Sequence, residues 1–103
     1  MNRFFNYNNT YNKIGSAEDI SSSNFDTLQK AREDLIGEIS AIIQYDEHIR
    51  TTQDRNAKRT WQDIKGEELV HVGELLALLD YLDPSQKQYV QKGIEEFNNR
   101  AKS

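Results

Sequence analysis

The amino-acid sequence predicts an all-α protein that contains an antiparallel two-helix hairpin and a short C-terminal helix. Apolar residues recur at alternating steps of three and four along two long segments, which is the pattern of helices that pack along a seam. Each segment ends at a short polar stretch rich in helix-capping residues. The chain has only 103 residues, so it forms at most one small domain with a thin core.

The composition argues against several classes of function. A net charge of -4 without a basic block disfavours binding to nucleic acid or to an anionic membrane surface. Because the chain has no cysteine, a disulfide framework, a thiol nucleophile and a thiolate-bound metal are excluded. The densest apolar stretch, residues 75–79, is far shorter than the roughly 18 residues of a membrane span. We therefore expect a soluble, cytoplasmic protein.

The low apolar content also predicts a partner chain. Only 36% of the residues are hydrophobic, 29% are charged, and the mean hydropathy is -0.86. A small chain with this balance buries little apolar surface by itself. We expect its core to be completed by a second copy.

Residues 1–24 differ from the rest of the chain, because asparagines alternate there with phenylalanines and tyrosines and no period of 2 or 3.6 is present. The segment is predicted to be a flexible N-terminal arm. An arm whose aromatic side chains dock on another subunit is the alternative. Residues 25–103 are predicted to hold the hairpin and the third helix.

The first long helix is predicted from about Phe25 to Thr51. Ser23 is the expected N-cap, and Asp26 lies near the positive end of the helix dipole. Apolar residues follow one heptad apart, and a second series interleaves with them. The two series are Leu28, Leu35, Ile42, Ile49 and Ala31, Glu38, Tyr45.

A polar connection at residues 51–54 separates the first helix from a second one that is predicted to begin near Asp54. Because the connection is short, the two helices should be antiparallel neighbours. Polar residues occupy the middle of the second apolar seam as well. This seam comprises Trp61, Ile64, Glu68, His71, Leu75, Leu78 and Leu82.

The third helix is predicted to start at Pro84, where the missing N–H costs nothing, with Asp83 as its N-cap and Gln86 completing a capping box. It is short and carries one apolar stripe. The stripe consists of Val90, Ile94, Phe97 and Ala101.

Three ionisable residues stand where the seams call for leucine, namely Glu38 on the first helix and Glu68 and His71 on the second. Burying such groups costs several kcal/mol unless they are paired, protonated or bound to a metal. Glu68 and His71 are three residues apart, so they project from one helix face. Glu38 lies about as far before the turn as Glu68 lies after it, so an antiparallel hairpin should bring all three together.

One Glu and one Glu-x-x-His are half of the ligand set of the di-iron centre in ferritin-like four-helix bundles. Two chains related by a two-fold axis would supply the whole set and four helices. Carboxylate and imidazole ligands without thiolate suit iron or manganese, and zinc stays open. A polar seam that only fixes the register of an assembly module is the alternative.

Other polar residues lie beside the two seams or next to the predicted ligands. The acidic residues beside the seams are expected to be mostly solvated, although Glu74 could belong to an access route or an outer metal site. His48 is expected to be an ordinary surface histidine. Tyr45 is predicted either to belong to the core or to act beside the metal, because a buried hydroxyl group needs a partner.

The segment Glu38–Ile49, taken with Trp61–Leu76, carries these motifs at a characteristic separation. At these residues the sequence resembles the encapsulated ferritins, close relatives of the rubrerythrin-like branch of the ferritin superfamily. The resemblance covers roughly residues 26–97. Glu38, Glu68 and His71 match the family's iron ligands, and Tyr45 matches its tyrosine beside the site.

The resemblance implies a homodimer that forms a four-helix bundle, a decamer made of a ring of five dimers, and a ferroxidase centre at the dimer interface. Fe(II) would be oxidised there by dioxygen, at a di-iron site shared between two subunits. The mineral would be stored in an encapsulin shell, which makes the shell protein a partner and an encapsulin nanocompartment the expected location. A rubrerythrin-like di-iron protein that reduces peroxide is the enzymatic alternative.

The sequence also departs from the family. Gly37 and Ser40 stand where some members carry the acidic residues of an auxiliary metal site, and Gln44 stands where some carry tryptophan. Members destined for encapsulin usually have a short tail of Gly-Ser-Leu type. The segment Ile14–Ser16 only faintly resembles that tail.

Overall fold

A computed structural model of the chain describes residues 22–102, and the whole of this part is organised as three α-helices. The helices are α1 (Ser22–Thr51), α2 (Arg55–Leu82) and α3 (Pro84–Lys102). No strand occurs among the described residues. The predicted all-α fold, with a long antiparallel hairpin followed by a shorter third helix, is confirmed.

The start of α1 differs from the prediction. The helix begins at Ser22, so Ser23 lies inside it rather than at the N-cap. The first turn of a helix needs no intrahelical acceptors for its N–H groups, so residues of modest helix propensity can join it. The rest of the predicted arm lies outside the described residues.

The turn of the hairpin is closed by side-chain caps rather than by glycine or proline. Asp54 accepts a hydrogen bond from the backbone N–H of Ala57 at 2.9 Å and is the N-cap of α2, so this helix begins near Asp54 as predicted. The backbone N–H of Asp54 donates to Oγ1 of Thr52 at 3.3 Å. The backbone N–H of Thr52 donates to the carbonyl group of His48 at 3.1 Å and extends the last turn of α1.

The pairing of α1 with α2 is fixed by contacts along the hairpin. Lys65 forms an ion pair with Asp46 at 2.6 Å in the half nearer the turn. Leu28 and Leu79 share the buried core at the other end. Between these contacts, Glu38 comes opposite the segment that carries Glu68 and His71, which is the register that the sequence predicted.

A polar cluster at the junction of α2 and α3 links the third helix to α1. Oδ1 of Asp83 accepts hydrogen bonds from the backbone N–H of Gln86 at 3.2 Å and from Oγ of Ser85 at 2.7 Å, so Asp83 caps α3 as predicted. Arg32 of α1 donates to Oε1 of Gln86 at 2.7 Å and lies 3.8 Å from the Asp83 carboxylate. The orientation of α3 at its start therefore depends on a residue of α1.

The second half of the predicted capping box is wrong. The side-chain oxygen of Gln86 accepts a hydrogen bond from Arg32 and does not accept one from the backbone N–H of Asp83. That N–H donates to the carbonyl group of Leu79 at 2.9 Å and so ends α2. An arginine near Gln86 offers a charge-assisted hydrogen bond, which is stronger than one from a backbone N–H.

The private core is small, as the composition predicted. Among the described residues only Leu28, Ala31 and Leu79 are buried hydrophobics, with Leu35 and Leu82 packed against them. The sequence placed Leu78 in this seam, but Leu78 is exposed and Leu79 takes its place. A straight helix drifts by about 20° per heptad from a strict seven-residue repeat, so the buried position moves by one residue along a long helix.

Much apolar surface is left uncovered on the chain. Large aliphatic side chains on α1 and α2 are well exposed, and none of the residues of α3 is buried. The exposed aliphatic residues of the hairpin include Ile36, Ile39, Ile43, Leu69, Val70 and Leu76. Among the described helices, none combines the length and apolarity that crossing a membrane would require.

Candidate metal centre

Glu38, Glu68 and His71 meet near the middle of the hairpin. One ligand atom from each of the three side chains can be chosen so that all three atoms lie within 4.8 Å of one another. Nδ1 of His71 lies 3.6 Å from Oε2 of Glu38 and 3.7 Å from Oε1 of Glu68. The structure thus brings together the three residues that the sequence singled out.

Regular helix geometry positions the three side chains. Glu68 and His71 are separated by one turn of α2, so they share a face of that helix. Glu38 lies well inside the 30-residue α1, far from either frayed end. Because every ligand stands on a long helix rather than a loop, the backbone holds the cluster in a defined geometry.

Burial divides the cluster into an inner and an outer part. The side chains of Glu38 and Glu68 are only 24% and 19% exposed, whereas that of His71 is 48% exposed. The two carboxyl groups therefore lie against the hairpin, and the imidazole lies at its edge.

The carboxyl group of Glu38 perturbs that of Glu68. A hydrogen bond with Glu38 raises the pKa of Glu68 above its ordinary value, and desolvation and the negative charge of Glu38 raise it further. The neighbouring Glu67 acts in the same direction, while His71 partly opposes the shift. Two carboxylates this close repel each other unless a proton or a cation lies between them.

One carboxylate oxygen lacks a hydrogen-bond partner among the described residues. Oε2 of Glu38 is buried and accepts no hydrogen bond from the described residues. Its distance of 3.6 Å from Nδ1 of His71 is too long for a hydrogen bond. A buried acceptor left in this state is costly, so this atom favours a ligand from outside the described residues.

The donor set fits a divalent transition metal. Oxygen and imidazole nitrogen bind such ions at about 2 Å, so donors on opposite sides of one ion lie about 4 Å apart. The three ligand atoms, within 4.8 Å of one another, are close to that spacing. Carboxylate and imidazole donors without thiolate suit iron and manganese.

An open groove lies along the cluster. It has a volume of about 440 Å³ and is lined in part by Glu38 and His71 themselves. Three more carboxylates, those of Glu33, Asp34 and Glu74, lie along the same groove. The cluster therefore opens to solvent along a negatively charged groove that Glu74 also lines. A role for Glu74 in an access route or an outer metal site stays a prediction.

Comparison with known proteins identifies the group to which this fold and cluster belong. A solved structure with the same architecture is the crystal structure of the encapsulated ferritin domain from Pyrococcus furiosus, at a TM-score of 0.71 and 34% sequence identity. The match covers 74% of this chain and 78% of that one. The chain belongs to the encapsulated ferritin family.

A sequence relative of the chain is the ferritin-like–encapsulin shell fusion protein of Pyrococcus furiosus. The two are 40% identical over 62 residues, which is 60% of this chain. The chain spans only 18% of the length of that relative. No protein-family model matches the sequence. The two similarities support a ferritin-like, iron-related role for the chain.

Tyr45, the fourth predicted site residue, lies in the half of α1 nearer the turn. Tyr45 is half-buried and lies two turns beyond Glu38 on α1. Its ring contacts that of His48 edge-on, with the ring centroids 6.4 Å apart and the planes at 84°. A role for Tyr45 beside the metal stays a prediction.

His48 is the residue that the sequence placed wrongly. It was expected on the surface, but it is half-buried and its Nδ1 is covered and without a hydrogen-bond partner among the described residues. Its ring lies 4.9 Å from that of Trp61 on α2. His48 lies three residues after Tyr45, and that spacing on α1 was the available signal in the sequence.

Proposed function

We propose that the chain is a ferroxidase that oxidises Fe(II) to Fe(III) with dioxygen at a di-iron centre shared by two copies. The observation that carries the proposal is the convergence of Glu38, Glu68 and His71 within 4.8 Å. It is supported by membership of the encapsulated ferritin family. The three ligands of one chain would be half of the centre.

The need for two copies follows from the ligand count. A di-iron centre of the ferritin-like type uses two single glutamates and two Glu-x-x-His motifs. One hairpin supplies one of each, and its cluster is open to solvent on the His71 side, where that side chain is 48% exposed. A second hairpin, related by a two-fold axis, would supply the missing ligands and cover the cluster.

In this proposal each ligand has a separate task. Glu38 and Glu68, the inner pair, would bridge or chelate the two iron ions, because carboxylates can change their mode of binding as the charge on iron rises. His71, at the edge, would supply one terminal nitrogen to each ion. Tyr45 would act next to the centre, beyond the ligands.

Iron is the substrate, and the electrons balance in a simple way. Two Fe(II) ions give up one electron each, and one dioxygen takes both together with two protons. The products are two Fe(III) ions and one hydrogen peroxide. The carboxylates along the groove, such as Glu74, would attract the incoming cations.

Uncovered apolar surface supports a larger assembly. The small private core and the exposed aliphatic residues on α1 and α2 leave a second copy much to bury, and the unburied α3 offers another face. A homodimer that assembles further into a ring of five dimers would use both surfaces. The fusion of a ferritin-like part to an encapsulin shell in the Pyrococcus furiosus relative supports a location for this chain inside such a shell.

The direct test is optical measurement of Fe(II) oxidation by the full chain in air, with bound metal measured alongside. A triple variant with Glu38, Glu68 and His71 replaced by leucine should lose iron binding and oxidation. Assembly at least as strong in that variant would show that it is folded, because leucine suits a helix seam.

Two results would contradict the proposal. A wild-type rate no higher than the uncatalysed background would remove the ferroxidase. Oxidation that depends on added peroxide but not on dioxygen would favour a peroxide-reducing enzyme instead.

A further inference from the structure

Three ring-bearing residues form one layer between the metal cluster and the turn of the hairpin. His48 lies between the other two, with its ring centroid 4.9 Å from that of Trp61 and 6.4 Å from that of Tyr45. These separations are in the range of direct contact between rings. Tyr45 and His48 stand on α1 and Trp61 on α2, so the layer connects the two helices of the hairpin.

This layer lies at the same distance from the cluster on both helices. Tyr45 follows Glu38 by seven residues, and Trp61 precedes Glu68 by seven residues. At 1.5 Å of rise per residue, each is about 10 Å from its ligand along the helix axis. The turn side of the cluster is thus faced by a tyrosine and a tryptophan in equivalent positions.

Few other side chains among the described residues are readily oxidised by one electron. The sequence has no cysteine, its one methionine is Met1, and its one tryptophan is Trp61. Among the described residues, Tyr81 and Tyr89 stand toward the opposite end of α2 and on α3, and their side chains are 80% and 77% exposed. Tyr81 is ten residues beyond His71, about 15 Å along the axis.

We propose that Tyr45 and Trp61, connected through His48, form a one-electron relay that consumes oxidising equivalents produced at the iron centre. The proposal rests on the proposed function, because that reaction generates hydrogen peroxide next to Fe(II). A centre of this kind would attack its own ligands if no nearby side chain were oxidised first. Tyr45 and Trp61 would be that sink.

The chemistry balances without any further reactant. Hydrogen peroxide, one Fe(II), one proton and the Tyr45 phenol give Fe(III), two water molecules and a neutral tyrosyl radical. That radical then takes an electron and a proton from the indole N–H of Trp61, which restores the phenol and leaves a neutral tryptophanyl radical. A later Fe(II) gives one electron to that radical, which takes up one proton and becomes the indole again, and the iron is left as Fe(III).

His48 is suited to the middle position. Its Nδ1 is buried and has no hydrogen-bond partner among the described residues, so this layer contains a nitrogen that can accept a proton in the neutral imidazole. The imidazole ring also lies between the other two rings and is a conjugated system. An aliphatic side chain could occupy the same space but has no conjugated electrons. His48 is therefore a positioning residue that holds the two oxidisable rings in one path.

The test uses the full chain loaded with Fe(II) without oxygen, mixed with hydrogen peroxide, frozen within the reaction and examined by electron paramagnetic resonance. The wild type should give an organic radical with the spectrum of tryptophan. Trp61→Phe should change that spectrum to one of tyrosine, and His48→Leu should do the same. The double variant Tyr45→Phe with Trp61→Phe should lose the organic signal.

Tyr81→Phe is the matched control, because it removes an oxidisable ring on the other side of the cluster, and it should leave the tryptophan signal unchanged. After many turnovers in air, mass spectrometry should show more oxidised His71 in Trp61→Phe than in the wild type.

An unchanged radical signal in the double variant, or peroxide consumption with no organic radical in the wild type, would overturn the relay. Loss of the signal in Tyr81→Phe would overturn it as well. The proposed ferroxidase is tested separately by oxidation in air. A protein that yields the Trp61 radical with peroxide but does not use dioxygen would keep the relay and lose the ferroxidase.

Discussion

At the scale of single residues, Glu68 connects the electrostatics of the cluster to stability. The raised pKa of Glu68 means that the folded protein binds this proton more tightly than the unfolded chain does. The stabilising contribution is therefore complete below the ordinary value of 4.5 and is lost as the pH rises through the raised pKa. Above that pH, Glu38 and Glu68 repel each other unless a cation is bound.

We predict that the metal-free protein loses stability relative to its Glu68→Gln variant as the pH rises from acidic to neutral. The amide cannot ionise, so the variant lacks the repulsion with Glu38. The urea midpoints of the two proteins, measured across this pH range, give the difference directly. A difference that stays constant with pH would contradict the raised pKa of Glu68.

Glu38 allows a prediction about metal affinity. Glu38→Gln keeps the shape of the side chain but removes the charge and one of the anionic donors, so binding of a redox-inert divalent ion should weaken by at least about tenfold. Isothermal calorimetry measures this change. Glu95→Gln, on the exposed α3, changes the net charge equally and should leave the affinity within about twofold of the wild type.

The ligand cluster could be predicted from the sequence, and the aromatic layer could not. Glu38, Glu68 and His71 interrupt apolar seams, so their chemistry conflicts with their positions and draws attention. His48 lies off the apolar seam of α1, where a histidine normally meets solvent. Its burial follows from its contact with Trp61 across the hairpin, and that contact depends on side-chain directions that a heptad pattern does not contain.

At the scale of helices, the caps at the two ends of α2 differ in their surroundings. Asp54 is exposed and caps α2 alone, whereas Asp83 is largely buried and also pairs with Arg32 of α1. We predict that Asp54→Ala costs about 1 kcal/mol of unfolding free energy. Asp83→Ala should cost about 2–3 kcal/mol, because it also removes a carboxylate that lies 3.8 Å from the partly buried Arg32.

Chemical denaturation of the metal-free protein measures both costs. Asp83→Asn is the matched control, since an asparagine retains the N-cap but loses the charge, and its cost should lie between those of the two alanine variants. Equal losses of unfolding free energy for Asp54→Ala and Asp83→Ala would mean that the ion pair between Arg32 and Asp83 does not stabilise the fold.

Helix positions were predictable to within a few residues because caps and periodicity are local signals. The start of α2 near Asp54 and the start of α3 at Pro84 were both predicted correctly. The role of Gln86 was not, because its partner Arg32 is 54 residues away in the sequence. The burial of Leu79 in place of the predicted Leu78 has the same origin, since the drift of a straight helix matters only once two helices are packed together.

At the scale of the whole molecule, metal binding and assembly should be coupled. If two chains share one centre, an ion that binds the pair stabilises it by mass action. We predict that a redox-inert divalent ion shifts metal-free subunits from small species to larger rings, as measured by analytical ultracentrifugation. Glu38→Gln should require more metal for the same shift, and an unchanged size distribution during the titration would contradict the shared centre.

The incomplete core could be predicted from composition, whereas the surfaces that complete it could not. A chain with 36% hydrophobic residues and one small domain was expected to need a partner, and the exposed aliphatic residues of α1 and α2 agree with that need. The pairing of two such surfaces depends on shape across chains. A heptad pattern describes one helix at a time and carries no information on that shape.

The outward position of His71, half exposed at the edge of its cluster, also has a kinetic consequence. If each chain brings half of the ligands, the rate of iron oxidation at high dilution should rise with the square of the protein concentration, because every productive encounter involves two subunits. Confinement in a small volume would remove this dependence. Crowding many copies together would then act as an activator without any change in the active site.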